Sequence, residues 1–288
     1  MENISPVTLR SMHCNDIEVV MHLKNEEGWN QTEKDWELLI KNPHNTCLVA
    51  EYQQKVIGTA TAINYSDKVA WIGMVLVDRN YRGQGVSKLL LTDLMKKLEQ
   101  CKSIKLDATA AGLPVYKKMG FVNEYSICRF TNSSQKNSFT DKYKISPEPV
   151  QAKDIPEIVK FDKLIFGVER TSLINFLLEN YPDKAWLLKR NNQITGYALG
   201  RDGTRFNQIG PVSALTTNDA KILIAEALKS LTDKPVVMDI IEDKKDLSDW
   251  LNSIGFINKR PFIRMYYKDN PYPGILNRQY LICGPEFG

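Results

Sequence analysis

No run of this 288-residue chain approaches the ~20 consecutive apolar residues that span a bilayer. The opening Met-Glu-Asn-Ile-Ser-Pro also lacks the basic and apolar stretch of an export signal, so neither a membrane nor secretion is expected. Cysteine is scarce and scattered: Cys14, Cys47, Cys101, Cys128 and Cys283 are odd in number and never in Cys-x-x-Cys spacing. That excludes a disulfide framework and points to a reducing cytoplasm. The three histidines, His13, His22 and His44, form neither a metal pattern nor a triad, so no metal is expected. A net charge of +4 is small and dispersed, and no basic run interleaves with aromatics, which argues against nucleic acid. Two phosphate-binding motifs are missing as well. No Gly-Lys-Ser/Thr follows a glycine loop, and the dinucleotide pattern begun by Gly83 and Gly85 fails at Lys88.

What remains is an ordinary globular composition, 43% hydrophobic and 25% charged, in a chain long enough for two domains. Its most informative stretch is Trp71 to Leu91. The apolar run Met74-Val75-Leu76-Val77 reads as a strand, Arg82-Gly83-Gln84-Gly85-Val86-Ser87 as a turn, and the segment from Val86 to Gln100 as a helix with Leu89, Leu90, Leu94, Met95 and Leu98 inside. Backbone N–H groups at a helix start have no internal partner and carry partial positive charge, which suits a phosphate or pyrophosphate. Glycine allows close approach, and Arg79, Arg82 and Lys88 supply formal charge.

The pattern Arg82-x-x-Gly85-x-Ser87 resembles the pyrophosphate loop of the GNAT superfamily of N-acetyltransferases, with Ser87 where Gly or Ala is usual. A second segment is similar to another signature of that superfamily: a strand over Ser103 to Ala108, then Leu113-Pro-Val-Tyr-Lys-Lys-Met-Gly-Phe121, a short helix ending at Gly120. The longer form, Leu106 to Phe121, looks like a subfamily whose members carry a second, GNAT-like domain. The resemblance implies an α+β (mixed α/β) fold of two tandem GNAT-like domains, each a twisted, mostly antiparallel mixed sheet flanked by helices.

In chain order, a first strand is expected over Pro6 to Arg10, a helix from Asp16, and a second helix near Glu33 behind the capping pair Thr32 and Asp35. A hairpin over Cys47 to Ala62, a strand over Lys68 to Ile72 and a last strand over Tyr125 to Phe130 complete a domain at 1–130. The polar stretch 131–144 reads as a linker to a second domain at 145–288. That domain repeats the first. Cys47–Ala60 parallels Ala185–Ala198, Ala70–Val75 parallels Asn207–Val212, Ser103–Asp107 parallels Pro235–Asp239, and Met119-Gly-Phe121 parallels Ile254-Gly-Phe256. The copies differ where chemistry is expected. Residues 213–221 hold no glycine or arginine, and Leu251 stands where Tyr116 does, so the second copy lacks the pyrophosphate loop. Asp107 and Asp239 read as turn starters.

By resemblance, Met74, Val75, Leu76 and Val77 line a pantetheine slot. Arg82, Gly83, Gln84, Gly85, Val86, Ser87 and Lys88 hold the pyrophosphate, and Thr109 and Tyr116 border the cofactor, with Thr109 standing where many members have Asn. Tyr116 is the expected general acid, since a phenol can protonate a departing thiolate. Glu27 and Asp78 are the candidate bases, and the loop carrying Trp29 and Asn30 is the candidate acceptor wall, with Trp186, Tyr197 and Arg201 meeting it if both domains close over one cleft. The implied activity is acetyl-CoA-dependent acetylation of a primary amine on a small acceptor by direct attack, by a monomer or homodimer. The alternative is a noncatalytic acyl-CoA sensor. The closing segment from Tyr266 either covers the cleft or mediates a dimer.

Overall fold

The computed structural model describes residues 7–132, 145–231, 235–241 and 243–288. The first half runs β1 (Thr8–Ser11), α1 (Ile17–Glu26), α2 (Glu33–Lys41), β2 (Thr46–Tyr52), β3 (Lys55–Tyr65), β4 (Val69–Val77), α3 (Val86–Lys97), β5 (Ser103–Ala108), α4 (Leu113–Lys118) and β6 (Val122–Asn132). The second runs β7 (Glu148–Pro149), α5 (Ile155–Phe166), α6 (Thr171–Asn180), β8 (Trp186–Arg190), β9 (Gln193–Arg201), β10 (Asn207–Ala214), α7 (Thr217–Lys229), β11 (Val236–Ile241), α8 (Lys245–Ser253), β12 (Ile257–Lys268) and β13 (Gln279–Leu281).

Local chemistry sets several boundaries, the one at Thr32 as expected. Thr32 and Asp35 form a reciprocal capping box at α2, and Gly167, in the left-handed region, ends α5. Two expectations change. The strands anticipated over 68–72 and 74–77 are one strand, β4, bent by a bulge. On α3 the buried side is Val86, Leu90, Leu91 and Leu94, whereas Leu89 points outward at 42% exposure. Leu89 is one residue from Leu90, about 100° round a helix of 3.6 residues per turn, and falls off the apolar stripe.

The strands of the described residues join one 13-stranded sheet in the order β1-β2-β3-β4-β5-β12-β6-β11-β13-β10-β9-β8-β7. Residues 131–144 were expected to part the halves. Thr131 and Asn132 instead end β6, 133–144 lie outside the described residues, and the halves are interleaved. β12 lies between β5 and β6, antiparallel to both, and β6 lies between β12 and β11. Each half therefore lends its last long strand to the other.

An approximate two-fold relates the two loans. Arg129 and Arg264 each stand nine residues beyond the glycine of a Gly-Phe pair. Arg264 forks onto Asp107 of β5, at 2.8 and 2.9 Å, and Arg129 forks onto Asp239 of β11, at 2.7 Å through both bonds. The two aspartates thus lie inside strands as partners across the halves, not at turns. Their side chains are fully buried, where an unpaired carboxylate would be costly. Apolar packing follows the same exchange. Met265 of β12 sits in the first-half core with Leu90, Ile104 and Phe121, and Phe130 of β6 sits in the second-half core with Leu223, Met238 and Phe256. On the sheet's other face one joint core takes Trp36 and Trp71 with Ile174, Tyr197 and Phe287.

Arg264→Ala would leave Asp107 buried without its partner, a loss of about 3–5 kcal/mol in urea unfolding. Because the halves share strands, wild type should unfold in one transition by calorimetry. Two resolved transitions, or an Arg264→Ala effect no larger than that of the exposed Lys41→Ala, would contradict the interleaved fold.

Candidate active site

Parallel pairing of β4 with β5 begins at Val69 and Ser103 and stops at Ile72 and Leu106. Just beyond, Met74 and Val75 stand opposite the single Ala60 of β3. This bulge, with Met74 at φ 50, bends β4 away from β5. The hydroxyls of Thr59 and Thr61 hold it by donating to the carbonyls of Met74, at 2.6 Å, and Gly73, at 3.2 Å. The gap opens into a cleft of about 640 Å³ that reaches the start of α3 at one end and the second half at the other. At the α3 end, Gly83 and Gly85 have φ of +76° and +84°, and a Cβ on either would meet nothing within 4 Å. Glycine is needed there for conformation, and it leaves an open cradle of N–H groups at a helix N-terminus, a fit for a pyrophosphate.

The second half repeats this architecture and fills it. Parallel pairing of β10 with β11 ends at the equivalent residues, Ile209 and Met238, and Gly210 and Pro211 bulge opposite Leu199. Here, however, β13 enters the gap, with Leu281 pairing with both Val212 and Ile240. The start of α7 is also closed: the Thr216 hydroxyl accepts the Asp219 N–H at 3.1 Å, and the Asp219 carboxylate binds Arg190 at 2.6 Å.

Family models agree with the duplicated architecture. The model described as the acetyltransferase (GNAT) family matches residues 16–121, and the one described as the acetyltransferase (GNAT) domain matches 158–281. The chain belongs to the GNAT acyltransferases, in tandem form. It is 26% identical over 201 residues, 69% of this chain and 71% of the relative, to the uncharacterized N-acetyltransferase YitH of Bacillus subtilis (strain 168). It is also 26% identical over 224 residues, 76% of this chain and 71% of the relative, to the holothin acyltransferase of Pseudoalteromonas sp. (strain SANK 73390). A solved structure from Pyrococcus horikoshii shares the fold over 100% of this chain and 99% of its own, with a TM-score of 0.82 at 21% identity.

Within this GNAT cleft, Met74 to Val77, Arg82, Gly83, Val86, Ser87, Lys88, Thr109 and Tyr116 all lie on the wall, as do Glu27, Trp29 and Asn30. Gln84 and Asp78 do not. Gln84 donates its side-chain amide to the Asn80 carbonyl at 3.2 Å. Asp78 caps the turn after β4, accepting the Asn80 N–H at 2.9 Å, and pairs with Lys55 at 3.0 Å. That bonding outweighs burial and lowers its pKa, so Asp78 is corrected from candidate base to structural cap.

Glu27 reaches the cleft but is tied down. Arg82 binds it at 2.6 Å and Arg79 at 3.3 Å. Burial alone would raise its pKa, yet the two guanidiniums prevail and hold it below the usual carboxylate range, which makes a poor proton acceptor. The same pairs turn Arg79 and Arg82 toward the α1–α2 loop, leaving Lys88 as the cradle's cation without an ion pair among the described residues. The Asn30 side chain is committed as well. Its Oδ1 accepts the N–H groups of Arg205 and Phe206, and its Nδ2 donates to the Phe206 carbonyl. Thr109 initiates α4, accepting the Gly112 N–H at its hydroxyl.

Tyr116 lies on the cleft wall. Its ring packs edge-on against Phe121, 5.8 Å between centroids, and its hydroxyl makes no hydrogen bond among the described residues. Burial pushes its pKa up to about 12, so the phenol keeps its proton at neutral pH.

Residues from the second half were not foreseen on the wall: Arg260 and Phe262 of β12, and Pro285 and Glu286 beyond β13, with Arg129 of β6 beside them. The end of the closing segment contributes Pro285 and Glu286 to the cleft wall. Pro285 accepts the Trp71 indole N–H at 3.1 Å, and a Cβ on Gly73 would fall 2.8 Å from the Glu286 Cα. Trp186 packs in the second-half core, the Tyr197 hydroxyl binds Asp162, and Arg201 lies behind the wall on Asp35 and Glu286. Of the five expected acceptor residues, Trp29 and Asn30 line the cleft.

One open slot and one filled slot imply a single binding event. Calorimetric titration with a CoA thioester should saturate at one equivalent per chain, and two equivalents would contradict the occlusion by β13.

Proposed function

We propose that this tandem GNAT protein transfers an acetyl group from acetyl-CoA to the primary amine of a small molecule by direct attack. One observation carries the reading: an open glycine cradle at the start of α3 leads without interruption along the β4 bulge to an unbonded Tyr116 hydroxyl. Acetyl-CoA brings the thioester. Gly83, Gly85, Val86, Ser87 and Lys88 hold its pyrophosphate through N–H groups and one ammonium, and the edge of β4 orients the pantetheine arm against the bulge. The amine nitrogen forms the new C–N bond as the C–S bond breaks, Tyr116 gives its proton to the departing sulfur, and the proton shed by the acylated nitrogen returns to the Tyr116 oxygen through solvent. With Tyr116 poised in this way, catalysis is favoured over a sensor, which would need only the cradle.

No metal is invoked. The five cysteines, three of them buried, fit a reducing compartment such as the cytoplasm. No helix among the described residues is long and apolar enough to cross a membrane.

Tyr116→Phe should leave acetyl-CoA affinity within about twofold while lowering kcat on the order of 10²-fold, the lower end of general acid contributions. Free-thiol release with a reactive amine reads kcat, and calorimetry reads affinity. An unchanged kcat would remove Tyr116 from the chemistry.

A further inference from the structure

The approximate two-fold that pairs Asp107 with Arg264 and Asp239 with Arg129 breaks at one position. Across the β6–β12 ladder Arg264 stands opposite Tyr125, whose hydroxyl accepts from its Nη1 at 2.6 Å. The equivalent neighbour, opposite Arg129, is Arg260. Both guanidiniums lie over the Phe262 ring, at 4.9 and 5.0 Å, but only Arg129 has a carboxylate. Among the described residues Arg260 makes no hydrogen bond or ion pair. Like charges directly opposite each other in a sheet are destabilising, and burial together with Arg129 lowers the pKa of Arg260. Arg260 is nonetheless exposed at this end of the cleft, with its guanidinium open to an anion.

A buried polar chain runs from there behind the cleft wall. Gln208 donates to Asp239 at 3.1 Å and accepts from Arg201 at 3.1 Å. Arg201 then binds both Asp35, at 2.7 Å, and Glu286. Two carboxylates share one guanidinium, and Asp35 Oδ1 and Glu286 Oε2 are buried without partners. Two carboxylates against one guanidinium leave this end formally negative, which favours a cation in the cleft beside it. The formal charges of Arg260, Arg129, Asp239, Arg201, Asp35 and Glu286 cancel in sum but are separated along the chain. Both outer members, Arg260 and Glu286, contribute to the cleft wall.

We propose that the acceptor is an amine that also bears an anionic group, a carboxylate or phosphate, with its ammonium at the Glu286 end and its anion on Arg260. The inference rests on the transferase reading above. The ammonium gives up one proton to solvent in the cleft, and the freed lone pair attacks the thioester held beside Gly73. Arg260 holds the far end and takes no part in bond making. A strut joining the two halves would not require the unpaired Arg260, because a second tyrosine would serve there as Tyr125 does.

The test compares matched amines by free-thiol release: 4-aminobutyrate against butylamine, and 2-aminoethyl phosphate against ethanolamine. Wild type should favour the anionic member of at least one pair by about tenfold or more in kcat/KM, and the pair with the larger ratio assigns carboxylate or phosphate. Arg260→Gln should erase that preference through KM with kcat nearly unchanged, and Arg260→Lys should restore part of it. Acetyl-CoA affinity by calorimetry should be the same in all three proteins. No preference in wild type, or a preference that survives Arg260→Gln, overturns the proposal. Acetyl-CoA binding without thiol release from any amine overturns the transferase reading itself, and the acceptor class with it.

Discussion

Each half of this protein depends on a carboxylate that the other half must neutralise. Asp107 and Asp239 are buried in strands, and the guanidiniums that bind them, Arg264 and Arg129, arrive only when β12 and β6 cross over. Buried pairs of this kind add little net stability against a hydrophobic alternative, but breaking one is expensive, so they discriminate strongly against wrong pairings. A slip of one residue along β12 would turn Arg264 to the opposite face and leave Asp107 alone. The register fixed in this way carries Arg260 and Phe262 to the cleft, and the segment beyond β13 brings Pro285 and Glu286. The acceptor end of a site built on the first half is therefore supplied largely by the second.

The same duplication explains why one site is open and its counterpart closed. Both halves keep the bulge and the early end of parallel pairing, the features that split two strands apart. In the second half β13 occupies the split, satisfying backbone groups that would otherwise be exposed at a sheet edge. In the first half none of the described residues enters it, and the closing segment runs along the wall beside Gly73. Loss of the glycine loop before α7 is consistent with a slot that no longer admits an anion.

Much of this was legible in the sequence because it is local. The strand, glycine turn and helix around Gly85, the strand and short helix ending at Gly120, the capping box at Thr32, and the four ordered parallels between the copies all follow from residue type and spacing. What escaped is long-range. Nothing in the periodicity of β12 says which strands it will join, so a boundary at 131–144 separates in sequence what the sheet interleaves. Asp78 and Glu27 looked available because their partners, Lys55 and Arg82, are distant in sequence, and Glu286 lies more than two hundred residues from Gly73. One signal was present: an arginine at the same place in both copies, amid apolar strand residues, with an aspartate likewise repeated. Charges duplicated in the middle of strands call for partners, and the only ones in reach are each other's.

The account turns on a thioester lying in the first-half slot with its pyrophosphate on the α3 cradle. A crystal structure with bound acetyl-CoA tests it most directly. It should place phosphate oxygens within hydrogen-bond reach of the N–H groups between Gly83 and Lys88, and the thioester carbonyl beside the β4 bulge within reach of the Tyr116 hydroxyl. Density for the ligand at the start of α7, or anywhere that leaves the slot between β4 and β5 empty, would contradict it.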